Sequence, residues 1–268
     1  MTTIRTARAL FPFRKSAITA FYLFTILFSS IYGWSQASAG ASASGVLSQM
    51  ESAFSNGVVV QQIQLSGTAT WTAGSLEDSG AATFTASSSG PSQMQLLLSS
   101  TGSRTETQTG FGSSADCQWA GADGVAHEMS VANCWKPALW LLPAFSFQPS
   151  LIPNSVGLVD LGTGAVGASP NIYRHLQSQL LPAGLPTSIA SSITQQSITD
   201  IGLDQATFLP EVLAYSILPD SGASTPIAIE IHYSNYQTVN GVQVPFLIQR
   251  YVNGSLQLAI VVSSAQIN

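Results

Sequence analysis

Two Asn-Gly dipeptides, Asn240-Gly241 and Asn253-Gly254, separate three runs in which every second residue is apolar. Ile227, Ile229, Ile231 and Tyr233 alternate with Ala228, Glu230, His232 and Ser234; Val242, Val244, Phe246 and Ile248 follow the first dipeptide, and Leu256, Leu258, Ile260 and Val262 the second. A two-residue connection needs positive φ at both positions, which Asn-Gly supplies at little cost, and it can join only antiparallel neighbours. The pattern therefore predicts three adjacent antiparallel strands with one apolar face that something else must cover. Pro245 has no N–H to give to a ladder, so its strand should carry a bulge or an open side there. Asn253-Gly254-Ser255 also spells a glycosylation acceptor, but the turn accounts for it.

The same period of two extends upstream. Val58 to Leu65 alternate, and runs near 66–72, 80–87, 92–100, 103–110 and 114–120 are separated by Gly, Ser and Pro clusters, the signature of an antiparallel meander. Before them Val46, Leu47, Met50 and Phe54 recur at helical spacing, with Gly57 placed to stop the helix. Residues 40–57 thus read as a small-residue leader and one short helix, and 58–268 as a single β domain. Between the two strand-rich stretches, Trp135 to Phe147 is dense in large apolar side chains and broken by Pro137 and Pro143. It reads as one or two helical turns over the sheet, either as ordinary core or as a lid over an apolar cavity.

The first 39 residues have a different character. Arg5, Arg8, Arg14 and Lys15 precede an apolar run from Ala17 to Trp34, and Ala37-Ser38-Ala39 offers a cleavage site. Positive, apolar, small is the order of a secretory signal segment; the competing reading is an uncleaved anchor. No Arg-Arg pair and no lipid-accepting Cys accompany it, so the general secretory route to a periplasmic or secreted location is expected. Beyond residue 39 only Arg104, Lys136, Arg174 and Arg250 are basic against thirteen acids, a net charge of −9 (4 − 13). Nucleic acid is thereby excluded as a partner, because tracking phosphates takes clustered cations. Cys117 and Cys134 form an even pair in an exported chain and read as a disulfide, with a buried thiol pair as the alternative. If Asp123-Gly124 turns a hairpin, Cys117 faces a residue near 130 and Cys134 must curl back to reach it.

Catalytic and cofactor motifs are weak. Gly162, Gly164 and Gly167 match Gly-x-Gly-x-x-Gly, but Pro170 follows at once and no acid stands about twenty residues on to hold a ribose, so the run reads as a mobile loop between strands. His127, His175 and His232 show no paired ligand spacing, so no metal is expected. His127-Glu128 comes without a nucleophile motif. No cofactor and no enzymatic activity are expected. Trp119, Trp135 and Trp140 bracket the cysteine loop, as core or as the wall of an apolar pocket.

The ending of the chain resembles the exported half-barrel proteins related to the bacterial lipoprotein carriers LolA and LolB. The likeness rests on Asp204, Thr207 and Pro210, spaced as the Asp-x-x-Thr-x-x-Pro turn that links two strands there, and on Asn240, Gly241 and Pro245 in the final hairpin. It implies a mainly β (α+β) fold, a strongly curved antiparallel sheet or half-barrel wrapped around a few short helices, with Ile172 to Leu180 as a further strand. It also implies an apolar concavity for acyl chains, which places Trp135, Leu139, Trp140, Leu142 and Phe145 from the cover and Phe246 and Ile248 from the sheet as candidate ligand-lining residues. No arginine aligns with the lid-closing basic residue of the carriers. The expected function is therefore broader: binding of an apolar ligand, a lipid or the acyl part of a lipoprotein, without catalysis. The alternative is an envelope structural or interaction module.

Overall fold

In a computed structural model of the chain, residues 42–110, 116–130, 133–134, 142–146, 156–219 and 225–267 are described. The expected signal segment, Trp135, Leu139 and Trp140 lie outside them. Thirteen strands are formed: β1 (Gln62–Ala73), β2 (Leu76–Ser87), β3 (Ser92–Leu98), β4 (Gly102–Gln108), β5 (Cys117–Ala120), β6 (Ala126–Glu128), β7 (Val156–Gly164), β8 (Tyr173–Leu180), β9 (Thr199–Leu203), β10 (Pro210–Ile217), β11 (Ile227–Val239), β12 (Val242–Val252) and β13 (Ser255–Ile267). They make one antiparallel sheet in the order β6-β5-β4-β3-β2-β1-β13-β12-β11-β10-β9-β8-β7. The chain lays down one meander from β1 outward to β6 and a second from β7 inward to β13, and the pairing of β1 with β13 joins them. Among the described residues the sheet does not close, and β6 and β7 are its two edges.

Both Asn-Gly turns form as the dipeptides dictate. Asn240 and Gly241 have φ of 50° and 89°, Asn253 and Gly254 of 47° and 78°, and Val239 pairs with Val242 and Val252 with Ser255. Pro245 pairs across to Tyr236 on β11, whereas the β12–β13 ladder begins only at Leu247, so the proline sits on the open stretch. Asp204 organises the β9–β10 turn by accepting at Oδ1 from the Thr207 N–H (2.7 Å), the Thr207 hydroxyl (2.8 Å) and the Ala206 N–H (3.1 Å). Those bonds, the Thr207 backbone bond first, hold its carboxyl below the usual range. Residues 173–180 are a strand, as the resemblance implies.

Two readings are corrected. The alternation from Val58 enters the sheet only at Gln62, and Val59 is 81% exposed. The Gly-rich run is not all loop: Gly162 and Gly164 belong to β7, where a bulge after Asp160 uses the positive φ of Gly162 (81°), and the loop starts only beyond Gly164. Only glycine takes that conformation freely, so the spacing reflects a bulge rather than a phosphate cradle.

The apolar face of the sheet is covered from one side by α1 (Ala43–Ser55). Ser42 caps its start by accepting from the Gly45 N–H at 3.3 Å, and Asn56 (φ 47°) and Gly57 (φ 80°) end it. Val46, Leu47, Met50 and Phe54 line its buried face and enter one core with Ile63, Leu65 and Phe84 of β1–β2, Leu176 of β8 and Leu258 and Ile260 of β13. The single turn α2 (Pro143–Ser146) packs against α1 and β10 and buries Phe145. A third helix, α3 (Thr187–Gln196), lies by β8 with none of its residues fully buried.

Asp78 is the one acid buried in this framework that no cation pairs with among the described residues. From β2 its carboxylate reaches the β3–β4 turn and accepts from the Ser99 hydroxyl (2.7 Å), the Thr101 hydroxyl (2.8 Å) and N–H (2.6 Å), and the Ser100 N–H (3.0 Å). These bonds, the Ser99 hydroxyl foremost, outweigh burial and hold it well below the ordinary carboxylate range. A group whose folded pKa is depressed stabilises the fold above its unfolded value, near pH 4, and loses that contribution as pH falls toward the folded value. The urea midpoint is therefore expected to fall below pH 4, and Asp78→Asn to flatten part of that fall; an unchanged slope in the variant would remove Asp78 from the account.

Candidate functional site

A flat sheet spaces its strands about 4.8 Å apart, which would put β4 and β12, five neighbours apart, roughly 24 Å from one another. Here Arg250 on β12 places Nη1 3.3 Å from Glu106 Oε1 on β4. The sheet therefore curls until side chains from its two halves meet, and the hollow so enclosed is a cavity of about 340 Å³.

Its walls are mostly apolar. Met94 and Leu96 come from β3, Ile217 from β10, Ile227 and Ile229 from β11 and Val252 from β12. Trp71, Trp119 and Tyr215 add aromatic surface. Burial pushes the Tyr215 hydroxyl well above the ordinary phenol range, so the ring is neutral at any physiological pH. Three charges stand among these side chains: Arg104 and Glu106 of β4 and Arg250 of β12. Both guanidinium groups lie over the Trp71 indole, Arg104 Cζ at 4.5 Å from the ring centroid and Arg250 Cζ at 5.4 Å, within cation–π range.

The rim is tied by a disulfide and an amide. Met129 donates its N–H to the Cys117 carbonyl (2.9 Å), so Cys117 faces the residue expected from the Asp123-Gly124 turn, and the bond from Cys134 N–H to Ser130 O (2.7 Å) holds Cys134 close to that strand end. Cys117 and Cys134 are bonded, with Cα atoms 5.2 Å apart. Closing a loop of this length stabilises by about 3 kcal/mol in the chain-entropy model. Next to it Asn133 grips the far side: Nδ2 donates to the Leu218 carbonyl (2.8 Å) and Oδ1 accepts from its N–H (3.2 Å). Asn133, Met129 and Leu218 all border the cavity, so this strap spans its wall from β5 to the end of β10.

The described members of the expected lining set sit elsewhere. Leu142, Phe145 and Ile248 are buried in the main core, and Phe246 packs against it. The cavity is instead built around Trp71, Arg104, Glu106 and Arg250, which reading strand by strand did not bring together. One signal for them exists in the sequence: in so acidic a chain, an arginine at an inward-facing strand position is an anomaly. The histidines stand on three different strands. His127 stacks on Trp119 (centroids 4.3 Å), His175 Nε2 meets Asp200 Oδ1 (2.8 Å) and His232 Nε2 meets Glu230 Oε2 (3.2 Å). No group of three or more metal-ligating side chains occurs among the described residues, and no described helix is long and apolar enough to cross a membrane.

No protein-family model and no curated sequence matches the chain. Its three-dimensional structure does have counterparts: it superposes on a LolA superfamily protein from Nitrosomonas europaea with a TM-score of 0.50, covering 85% of this chain and 94% of that one. The fold is LolA-like. A domain named for outer membrane lipoprotein sorting, from Vibrio parahaemolyticus, gives 0.51 over 84% and 93%, and a DUF1329 family protein from Desulfovibrio piger gives 0.53 over 84% and 92%. Identities of 11%, 8% and 9% make this a likeness of fold. Within the LolA-like sheet, the cavity is bordered chiefly by β3–β5 and β10–β12, and Met94, Leu96 and Ile229 of its wall belong to the same core as α1.

Proposed function

We propose that the protein is an exported, non-enzymatic binding protein that holds an apolar ligand, a lipid or the acyl part of a lipoprotein, in the hollow of its curved sheet. The observation that carries this reading is the cavity, whose volume of about 340 Å³ falls within the roughly 300–1,000 Å³ of small-molecule sites and whose walls are mainly aliphatic and aromatic. The LolA-like fold supports it, as does the lipoprotein-sorting name of one fold neighbour. The Cys117–Cys134 disulfide suits an oxidising compartment, and the first 39 residues supply the export signal.

Native mass spectrometry of the chain recovered from the envelope of an exporting bacterial host tests the proposal. The expected result is a protein that begins at Gly40 and carries an adduct of lipid mass, released by organic solvent. A bare mass together with no uptake of a fluorescent fatty acid would overturn ligand binding and leave an envelope interaction module as the better account.

A further inference from the structure

We propose that the ligand is a single-chain anionic amphiphile, a long-chain carboxylate, whose head group is held by Arg104 and Arg250 over Trp71. The inference rests on the apolar-ligand reading and adds its head group.

Beyond the signal segment the chain has four basic side chains, and two of them line this one cavity. Arg174, by contrast, pairs with Asp160 on β7. Among the described residues the cavity's charges do not balance: two guanidinium groups face one carboxylate, Glu106, and Tyr215 is held neutral by burial. Glu106 is engaged by Arg250. Arg104 has no ion pair among the described residues. Arg104 is half-buried, and a cation partly withdrawn from water against apolar walls is costly unless an anion meets it. Evolution could have placed a leucine at 104, beside Leu96, its cross-strand partner on β3. A guanidinium stacked on an indole is instead a rigid fork, oriented to give parallel N–H bonds to a carboxylate.

The unbalanced charge is a single positive one, which suits a monoanion. The cavity lies near the lower end of the range for ligand pockets, which suits one chain rather than two. Met94, Leu96, Ile227 and Ile229 supply the surface for the tail.

The test compares laurate with dodecanol, which share a tail and differ in the head, by titration of the exported chain followed by tryptophan fluorescence. Laurate is expected to bind at least tenfold more tightly, since charge-assisted bonds in a partly buried site exceed neutral ones. Arg104→Gln should bring the laurate-to-dodecanol ratio toward one, while Glu106→Gln, which removes the competing carboxylate, should raise it above that of the natural chain. Opposite signs at neighbouring positions on one strand cannot come from misfolding. Equal binding of the two compounds, a preference that survives Arg104→Gln, or a ratio lowered by Glu106→Gln would each overturn the head-group assignment and leave apolar binding standing. Failure of both compounds to bind would overturn the apolar-ligand reading itself.

Discussion

Phe54→Ala is expected to destabilise the fold by about 3–5 kcal/mol, the range for truncating a large buried aromatic. Phe54 is 1% exposed, on the last turn of α1, and its ring is among the largest fully buried side chains of the protein. α1 packs on β12, β7 and α2 at once, so it plugs the hollow between strands that the sheet order keeps four or more places apart. The strands cannot collapse onto the space a lost ring would leave, because each is fixed by ladders on both sides or by its own bulge. The cavity term therefore adds to the lost transfer energy. Against a domain stability of about 5–15 kcal/mol, the loss is large. Urea denaturation of the variant reads it directly. A loss under about 1 kcal/mol would mean that α1 rests on the sheet without filling it.

How much of this could be read from the chain depends on the range of each interaction. The Asn-Gly turns, the Asp204 turn, the α1 face and the alternation of β3, β11 and β13 are local, and the residues that form them are neighbours in sequence. The curl of Cys134 back to Cys117 was likewise legible, since a hairpin register fixes who faces whom. What stayed hidden is non-local. Nothing near Gln62 announces that β1 will pair with β13, with Ile63 beside Ile267. The cavity depends on that pairing, because it alone sets Trp71 between Arg104 and Arg250. For the same reason large side chains that cluster in sequence, as around 135–147, are legible as a candidate lining, whereas strand positions that meet only after the sheet has curled are not. Composition found apolar residues; topology decided which of them face a hollow.

The curl itself leads to the second large effect. Gly80→Ala is expected to cost about 3 kcal/mol, the upper end of what overpacking does. A Cβ on Gly80 of β2 would lie 1.8 Å from the Leu97 carbonyl oxygen and 2.7 Å from its carbon, both backbone atoms of β3. Backbone of a paired strand cannot swing aside as a side-chain end can, so the β2–β3 ladder must part or shift. Gly67 of β1 repeats the arrangement on the other side, 2.1 Å from the Val261 carbonyl oxygen of β13, beside the bulge between Ser66 and Gly67. A glycine paired with a bulge, as at Gly67, bends a sheet sharply, and both glycines stand in its central strands, where a bend folds one half toward the other. Without it β4 does not reach β12, and Arg250 and Glu106 do not meet. The comparison is Gly164→Ala in β7, where a Cβ meets nothing within 4 Å and φ is not positive; it should stay within about 0.5 kcal/mol. Equal losses from the two substitutions in urea denaturation would show that the strands pass farther apart at Gly80 and that the bend has another origin. A large loss at Gly80 alone, with laurate binding lost in whatever fraction still folds, ties the stability of the sheet and the existence of its cavity to the same absent side chain.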